Sequence, residues 1–433
     1  MNTPRYGWYG DDFTGATDTL ATLAQAGLNS LLYLRVPTPE QQAAVGPLDA
    51  VGIAGIARAL APDAMREQLA PAARFFEQLG VRIMHYKCCS TFDSAPHVGN
   101  IGAAASILRP HFANPLLAII GGQPSLGRYC LFSNLFAAVE AGGAVERIDR
   151  HPTMMRHPVT PMNEADLRLH LGLQGLVAAA IHYPAYAREK LGDLIDRELD
   201  GRTATVLFDV VDPDDLVLIG AELWRRAQAT PMLCIGASSV AQAMIAAWTT
   251  QGGSASAPKP QAGLTAAEGP VFVMAGSLSP VTQHQIELAK PHYHVIAGDG
   301  SRLAGDEAYR GSLRQRVTTE LRRGRHVLLS TAPNKIDGID RALSKQIAEH
   351  AAQFVADLLQ QLPLRRVGIA GGDTSSHAIH ALPAWGLSYR AAISPGVALS
   401  TIRSDHAWLD GTEIMLKGGQ MGPPDVFQKL ALT

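Results

Sequence analysis

Two adjacent carboxylates, Asp11 and Asp12, stand between glycines in Gly10-Asp11-Asp12-Phe13-Thr14-Gly15-Ala16-Thr17. The G-x-x-x-x-G spacing is that of a phosphate-cradling loop, but such a loop needs Lys and then Ser or Thr after its second glycine. Ala16 stands in the lysine's place, and two acids would repel phosphate, so a P-loop is excluded. Paired acids that open a helix can instead bind substrate hydroxyls, hold magnesium or take a proton. One of them can equally cap the helix expected over 14–26, although a cap takes one acid and not two.

A second polar run, His85-Tyr86-Lys87-Cys88-Cys89-Ser90-Thr91-Phe92-Asp93-Ser94, ends in Gly99-Asn100. Lys87, Ser90, Thr91, Asp93 and Asn100 would suit a small polyhydroxylated anion, the ammonium on its charge and the hydroxyls on its oxygens. A polar loop with a helix cap explains the same composition equally well. Cys88 and Cys89 have no neighbouring base in sequence, so they read as buried and inert. Arg58, after the apolar run 50–55, is a candidate carboxylate clamp. Gly121-Gly122-Gln123-Pro124-Ser125-Leu126-Gly127-Arg128 permits close backbone approach to a ligand, or simply a turn.

Three glycine-bearing turns follow toward the C-terminus: Ala275-Gly276-Ser277-Leu278-Ser279, Gly371-Gly372-Asp373-Thr374-Ser375-Ser376, and Leu416-Lys417-Gly418-Gly419-Gln420-Met421-Gly422. One such turn means little. Three, each between an apolar run and a helix, offer backbone N–H groups to the phosphates of a nucleotide. No G-x-G-x-x-G is present, which argues against a nicotinamide-dependent dehydrogenase. His151, His157 and His170 cluster only loosely, and without HExxH or close His/Cys spacing they do not suggest a metal site.

These groups must be held by a scaffold, and the pattern of apolar runs supplies one. Strands are expected at Tyr6–Gly10, Ser30–Arg35, Ala50–Gly55, Val81–Lys87, Leu116–Gly121, Leu176–Ile181, Thr205–Val211 and Met232–Gly236. Helices are expected between them, at Ala16–Ala26, Ala61–Leu79 and Leu131–Ala141. Strict alternation of this kind argues for parallel sheets with helices on both faces. Residues 252–263, GGSASAPKPQAG, have nothing to build a core, and a linker is expected over 253–264. The alternation then restarts at Val271–Gly276, His294–Gly298, His326–Ser330, Arg366–Gly371 and Ile414–Lys417, with helices at Asp306–Arg323 and Leu343–Leu362. Two α/β domains with largely parallel sheets are expected, over 1–252 and 265–433. The Pro-rich stretch 151–166 breaks the alternation and reads as an ordered excursion or lid.

Composition narrows the partners. With 37 Lys and Arg against 39 Asp and Glu, the 433-residue chain has no global field for nucleic acid or an anionic membrane. Four cysteines without a CxxC suggest neither disulfides nor zinc. The N-terminus carries no apolar signal region, and no run approaches the length of a membrane span. A soluble cytoplasmic protein is expected. Its oligomeric state is not fixed by the sequence, and a homodimer is one arrangement it allows.

Taken together, YGDDFTGATD at 9–18, YKCCSTFDSAPHVGNIG at 86–102, GGQPSLGRYCLFSNLFA at 121–137, RHPVTPMNEADLRLHL at 156–171, AGSLSPVTQHQI at 275–286, GGDTSSHAI at 371–379 and LKGGQMG at 416–422 resemble the four-carbon acid sugar kinase family. The resemblance runs along essentially the whole chain. It implies an N-terminal acid-binding domain, a C-terminal ATP-binding domain and phosphoryl transfer in a cleft between them. One branch of the family carries an Asp directly before the Ser-Thr pair. Cys89 occupies that position here, with Asp93 the candidate replacement, and the pattern is closer to the 3-oxo-tetronate kinases than to those for threonate or erythronate.

The resemblance further implies transfer of the ATP γ-phosphoryl to the terminal hydroxyl of a 3-oxo-tetronate. Ser277, Gly371, Gly372, Asp373, Thr374 and Gly419 would hold ATP. Arg58, Lys87, Ser90 and Thr91 would hold the acid, and Asp11 and Asp12 would orient the reacting end, with Asp12 favoured as the base. Magnesium is implied by ATP chemistry, without assigned protein ligands. Threonate or erythronate as acceptor, or a sensor that binds without turnover, are the alternatives.

Overall fold

The computed structural model describes residues 4–140, 142–157, 159–250, 263–277, 279–331, 341–394 and 396–432. The chain divides into two compact units, Met1–Lys259 and Pro260–Thr433. Most of the expected linker, 253–262, lies outside the described residues.

In the first unit, β1 (Tyr6–Gly10), β2 (Ser30–Tyr33), β3 (Ala50–Ala54), β4 (Ile83–Lys87), β5 (Leu116–Ile120), β9 (Ala179–Ile181), β10 (Ala204–Phe208) and β11 (Met232–Gly236) form one sheet. Their order is β2-β3-β1-β4-β11-β5-β10-β9, every pairing parallel. Most of these strands are buried along their whole length. That is why they read as continuous apolar runs rather than alternating ones: helices cover both faces. After β1 the chain builds β2 and β3 on one side and then crosses to β4 on the other. The crevice at the carboxyl ends of β1, β3 and β4 is therefore a topological switch point, where open α/β sheets bind ligands.

One expectation fails here. The helix expected over Leu131–Ala141 is instead part of an antiparallel sheet of β6 (Arg128–Leu131), β7 (Asn134–Ala138) and β8 (Val145–Arg147). The turn between β6 and β7 places Phe132 and Ser133 at φ of 49° and 65°, a left-handed conformation unusual for residues with side chains. The buried carboxylate of Asp209, at the end of β10, accepts hydrogen bonds from the backbone N–H groups of both, at 2.7 and 2.9 Å. A partner 76 residues away thus overrides the local helical pattern.

The second unit repeats the logic. Strands β12 (Val271–Ala275), β13 (His294–Ala297), β14 (Val327–Ser330), β15 (Arg366–Ala370) and β18 (Glu413–Lys417) run parallel in the order β13-β14-β12-β15-β18. A long antiparallel hairpin, β16 (Ala384–Ser394) and β17 (Val397–Ser404), continues the sheet from β18. Again the chain fills one side of its first strand before crossing to the other, so β12, β15 and β18 present their carboxyl ends together.

Candidate active site

The acid pair at the end of β1 is built around an arginine from the end of β3. Arg58 grips Asp11 with two nitrogens, Nη2 to Oδ1 at 3.0 Å and Nε to Oδ2 at 3.3 Å, and its Nη1 lies 2.9 Å from Asp12 Oδ2. The backbone fixes this geometry, because Asp11 N–H donates to Lys87 O and Arg58 N–H to Asp11 O, extending the ladder past the strands. Gly99 secures the Arg58 turn: at φ +60°, a Cβ there would come within 2.7 Å of the Arg58 carbonyl. Asp12 also caps the helix Phe13–Gln25, its Oδ1 accepting from Gly15 N–H at 2.7 Å. The two acids therefore divide the work: Asp11 is buried, while Asp12 caps the helix and keeps about a quarter of its side chain open, 28%.

Electrostatics follow from that burial. The Asp11 carboxyl is pushed up to about 6 by burial, against the pull of Arg58 and with the neighbouring charge of Asp12 adding to the rise. For Arg58, burial works against its charge, but Asp11 and Asp12 outweigh it and hold the guanidinium firmly protonated.

Lys87, the last residue of β4, is buried, and its Nζ donates to Cys88 O at 2.8 Å. Among the described residues no carboxylate lies within ion-pair distance of it. A Cβ on Gly15 would stand 2.6 Å from Asp12 Oδ1 and 2.8 Å from Lys87 Nζ, so glycine there lets the ammonium approach the start of the helix. Thr91 donates to Asp93 Oδ1 at 2.6 Å, and both are buried. Burial alone would raise the Asp93 carboxyl, but Arg58 and the Thr91 hydroxyl hold it below the ordinary range. Ser90 occupies the adjoining turn. Asn100 is committed elsewhere, capping the helix Ile101–Leu108 through Oδ1 and donating to Pro96 O. The Cys89 thiol is pushed up to about 11, chiefly by burial, which leaves it no nucleophile at neutral pH.

The loop bearing Asp93 is tied down by residues the sequence reading did not select. Ser94 Oγ bonds His170 Nε2 at 2.9 Å and accepts from Gln174 Nε2 at 2.8 Å, and all three are buried. Thr160, in the Pro-rich excursion, reaches Asp93 Oδ2 at 3.5 Å and His157 Nδ1 at 2.9 Å. The i, i+4 spacing of His170 and Gln174 was visible in sequence, but nothing local announces a partner 76 residues away. Gly121 and Gly122 serve packing: a Cβ on either would strike Cys130 Sγ or Val210 O.

In the second unit the three glycine turns interlock. Gly371 has φ +129°, a conformation reserved for glycine, and a Cβ there would stand 3.3 Å from Ser277 N. A Cβ on Gly276 would lie 2.2 Å from Thr374 Oγ1, and one on Gly419 2.2 Å from Ser277 Oγ. Ser277, Gly371, Thr374 and Gly419 are thus brought together. Gly372 and Asp373 open the adjoining helix Gly372–Ala381, with open space beside Gly372. Glycine at these positions lets the carboxyl ends of three neighbouring strands close on one another, side chain against backbone. Lys417, quoted within its motif but not selected, is almost wholly buried beneath the last turn, at 1% exposure. A basic residue ending a strand just before two glycines was the available signal.

Residues 6–244 match the description "Sugar-binding N-terminal domain" and residues 272–427 match "Nucleotide-binding C-terminal domain". The chain belongs to the four-carbon acid sugar kinase family. It is 35% identical to the 3-oxo-isoapionate kinase of Paraburkholderia graminis, with 97% of this chain and 92% of that protein covered. It is 28% identical to the 3-oxo-tetronate kinase of Methylobacterium radiotolerans, with 97% of each covered. The fold matches the crystal structure of a Haemophilus influenzae protein with a TM-score of 0.76, at 24% identity over 98% of both chains. This member of the family is a phosphotransferase. Among the described residues no helix is long and apolar enough to cross a membrane.

Proposed function

We propose that this kinase transfers the γ-phosphoryl of ATP to the terminal hydroxyl of a short 3-oxo sugar acid, with 3-oxo-tetronate and 3-oxo-isoapionate as its candidate acceptors. The observation that carries the reading is the cluster at the first unit's switch point, Asp11–Arg58–Asp12 beside the buried ammonium of Lys87. It offers a cation for a carboxylate and a held acid for a hydroxyl within one crevice. The 3-oxo feature comes from the relatives, and the higher identity to the isoapionate enzyme makes that acid the first to test.

Phosphoryl transfer passes through a loose transition state, so alignment and charge neutralisation matter more than covalent chemistry. Lys87 takes the carboxylate, with Ser90 and Thr91 on the hydroxyl and oxo oxygens. Asp12 is the base, because its side chain is the more open of the two acids. Asp11 sets the Arg58 fork that orients Asp12. In the second unit, Ser277 and the Gly371–Thr374 and Gly419 turns hold the nucleotide. We place magnesium with the nucleotide phosphates, the usual seat of this ion in phosphoryl transfer. A cytoplasmic location fits a kinase that draws on ATP.

The test is ADP release with magnesium and ATP across 3-oxo-isoapionate, both enantiomers of 3-oxo-tetronate, threonate and erythronate. Turnover confined to the 3-oxo acids supports the reading and names the acceptor. Turnover with threonate or erythronate alone would overturn the acceptor class while leaving the kinase.

A further inference from the structure

Lys417 ends β18 directly below the Gly418–Gly419 turn. Its side chain is almost completely enclosed, with the ammonium 5.8 Å from the centre of the Phe427 ring. Nζ donates to Thr282 Oγ1 at 3.2 Å and to Gly418 O at 3.1 Å. Thr282 in turn donates to Gly419 O at 2.8 Å. One ammonium and one hydroxyl thus hold both carbonyls of the turn that meets Ser277.

The ammonium has hydrogen bonds but, among the described residues, no counter-charge. The described carboxylates on the surrounding elements are engaged elsewhere: Glu413, at the far end of the same strand, with Arg366 and Arg390; Asp425 with Lys429; and Glu287, on the helix that carries Thr282, with Lys290. His284 on that helix is exposed, and His377 and His380 lie on the helix Gly372–Ala381. Among the described side chains, none of these acts electrostatically on Lys417. Burial alone lowers its ammonium to about 8. A buried cation without a partner is costly, and an anion brought close to it recovers that cost.

We propose that the Lys417 ammonium is the standing counter-charge for a nucleotide's phosphates at the Ser277–Gly371–Gly419 turns, acting through the Thr282-braced Gly418–Gly419 backbone, so that nucleotide binding draws a proton onto this side chain. The proposal rests on the kinase reading and deepens it. Lys417 is a positioning residue in this scheme, since it reaches the phosphates through the turn. The proton is taken from solvent on binding and returned on release, so the cycle balances.

The test is calorimetric titration of the full-length protein with ATP and magnesium from about pH 7 to about pH 9, in buffers of different ionisation enthalpy, with adenosine as the phosphate-free control. ATP affinity should fall roughly tenfold across that range with net proton uptake, while adenosine binding stays flat. Lys417→Met should bind ATP more weakly at the lower pH and show neither slope nor uptake. A flat wild-type profile, or an unchanged slope in Lys417→Met, would overturn the proposal. The wild-type contrast between ATP and adenosine decides it even where the variant does not fold. Absence of ATP binding at any pH would instead overturn the kinase reading itself.

Discussion

Arg58 and Asp11 form a two-point fork, Nη2–Oδ1 at 3.0 Å and Nε–Oδ2 at 3.3 Å, and only an arginine can make it while also reaching Asp12. Lysine offers a point charge without the planar geometry. Arg58→Lys is therefore expected to fold but to lose about 10²-fold or more in kcat/KM for the acid, with KM for ATP unchanged. Steady-state kinetics with each substrate varied separately checks this, and near-wild-type turnover would remove the fork from the reaction.

The Asp11 carboxyl gives the enzyme an acid limb. Burial holds it up to about 6, so above that pH the carboxylate is ionised and the fork is complete, while below it protonation takes one charge away. kcat/KM for the acid should rise through about pH 6, and Asp11→Asn should lose that limb along with most of the activity. The stability sign is opposite. A folded value above the ordinary 3.8 means that the contribution is full below about 3.8 and is lost as pH rises through about 6. Thermal unfolding between about pH 4 and about pH 6 should show that slope, flattened in Asp11→Asn.

Gly419 tests the nucleotide turns without touching the acid site. A methyl group there would stand 2.2 Å from Ser277 Oγ, and 3.3 Å from Ser279 Cβ behind it, so either the turn or the serine must move. Gly419→Ala should raise KM for ATP about tenfold or more and leave KM for the acid alone. An equal rise in both would mean that the turn does not serve the nucleotide.

How far these features could be read in advance follows physical lines. The strand ends carrying Asp11, Arg58, Lys87 and Gly371 were legible because buried parallel strands are continuous apolar runs, and the polar groups begin where each run stops. The hairpin at 128–138 was not legible, because its turn depends on Asp209, which the chain supplies only at the end of β10. Asn100 shows the opposite limit: the sequence placed it correctly beside the loop but could not say that both ends of its amide were already committed. Lys417 was in view as a residue type. Its enclosure, without a counter-ion among the described residues, exists only in three dimensions.

The Ser94–His170–Gln174 network offers a last test, because it touches the Asp93 loop without belonging to the proposed acid-binding groups. Burial holds the His170 imidazole below its ordinary value, so it is neutral at physiological pH and bonds Ser94 as a neutral ring. His170→Phe fills the space but removes the ring's bond to Ser94, whose hydroxyl keeps Phe92 O and the Gln174 amide, at a cost of about 1 kcal/mol in stability. Because the loop carries Thr91 and Asp93 as well, KM for the acid should rise in the folded variant while KM for ATP holds. Chemical denaturation and substrate-resolved kinetics together check both parts. A destabilised variant with unchanged KM for the acid would show that the network braces the fold and not the site.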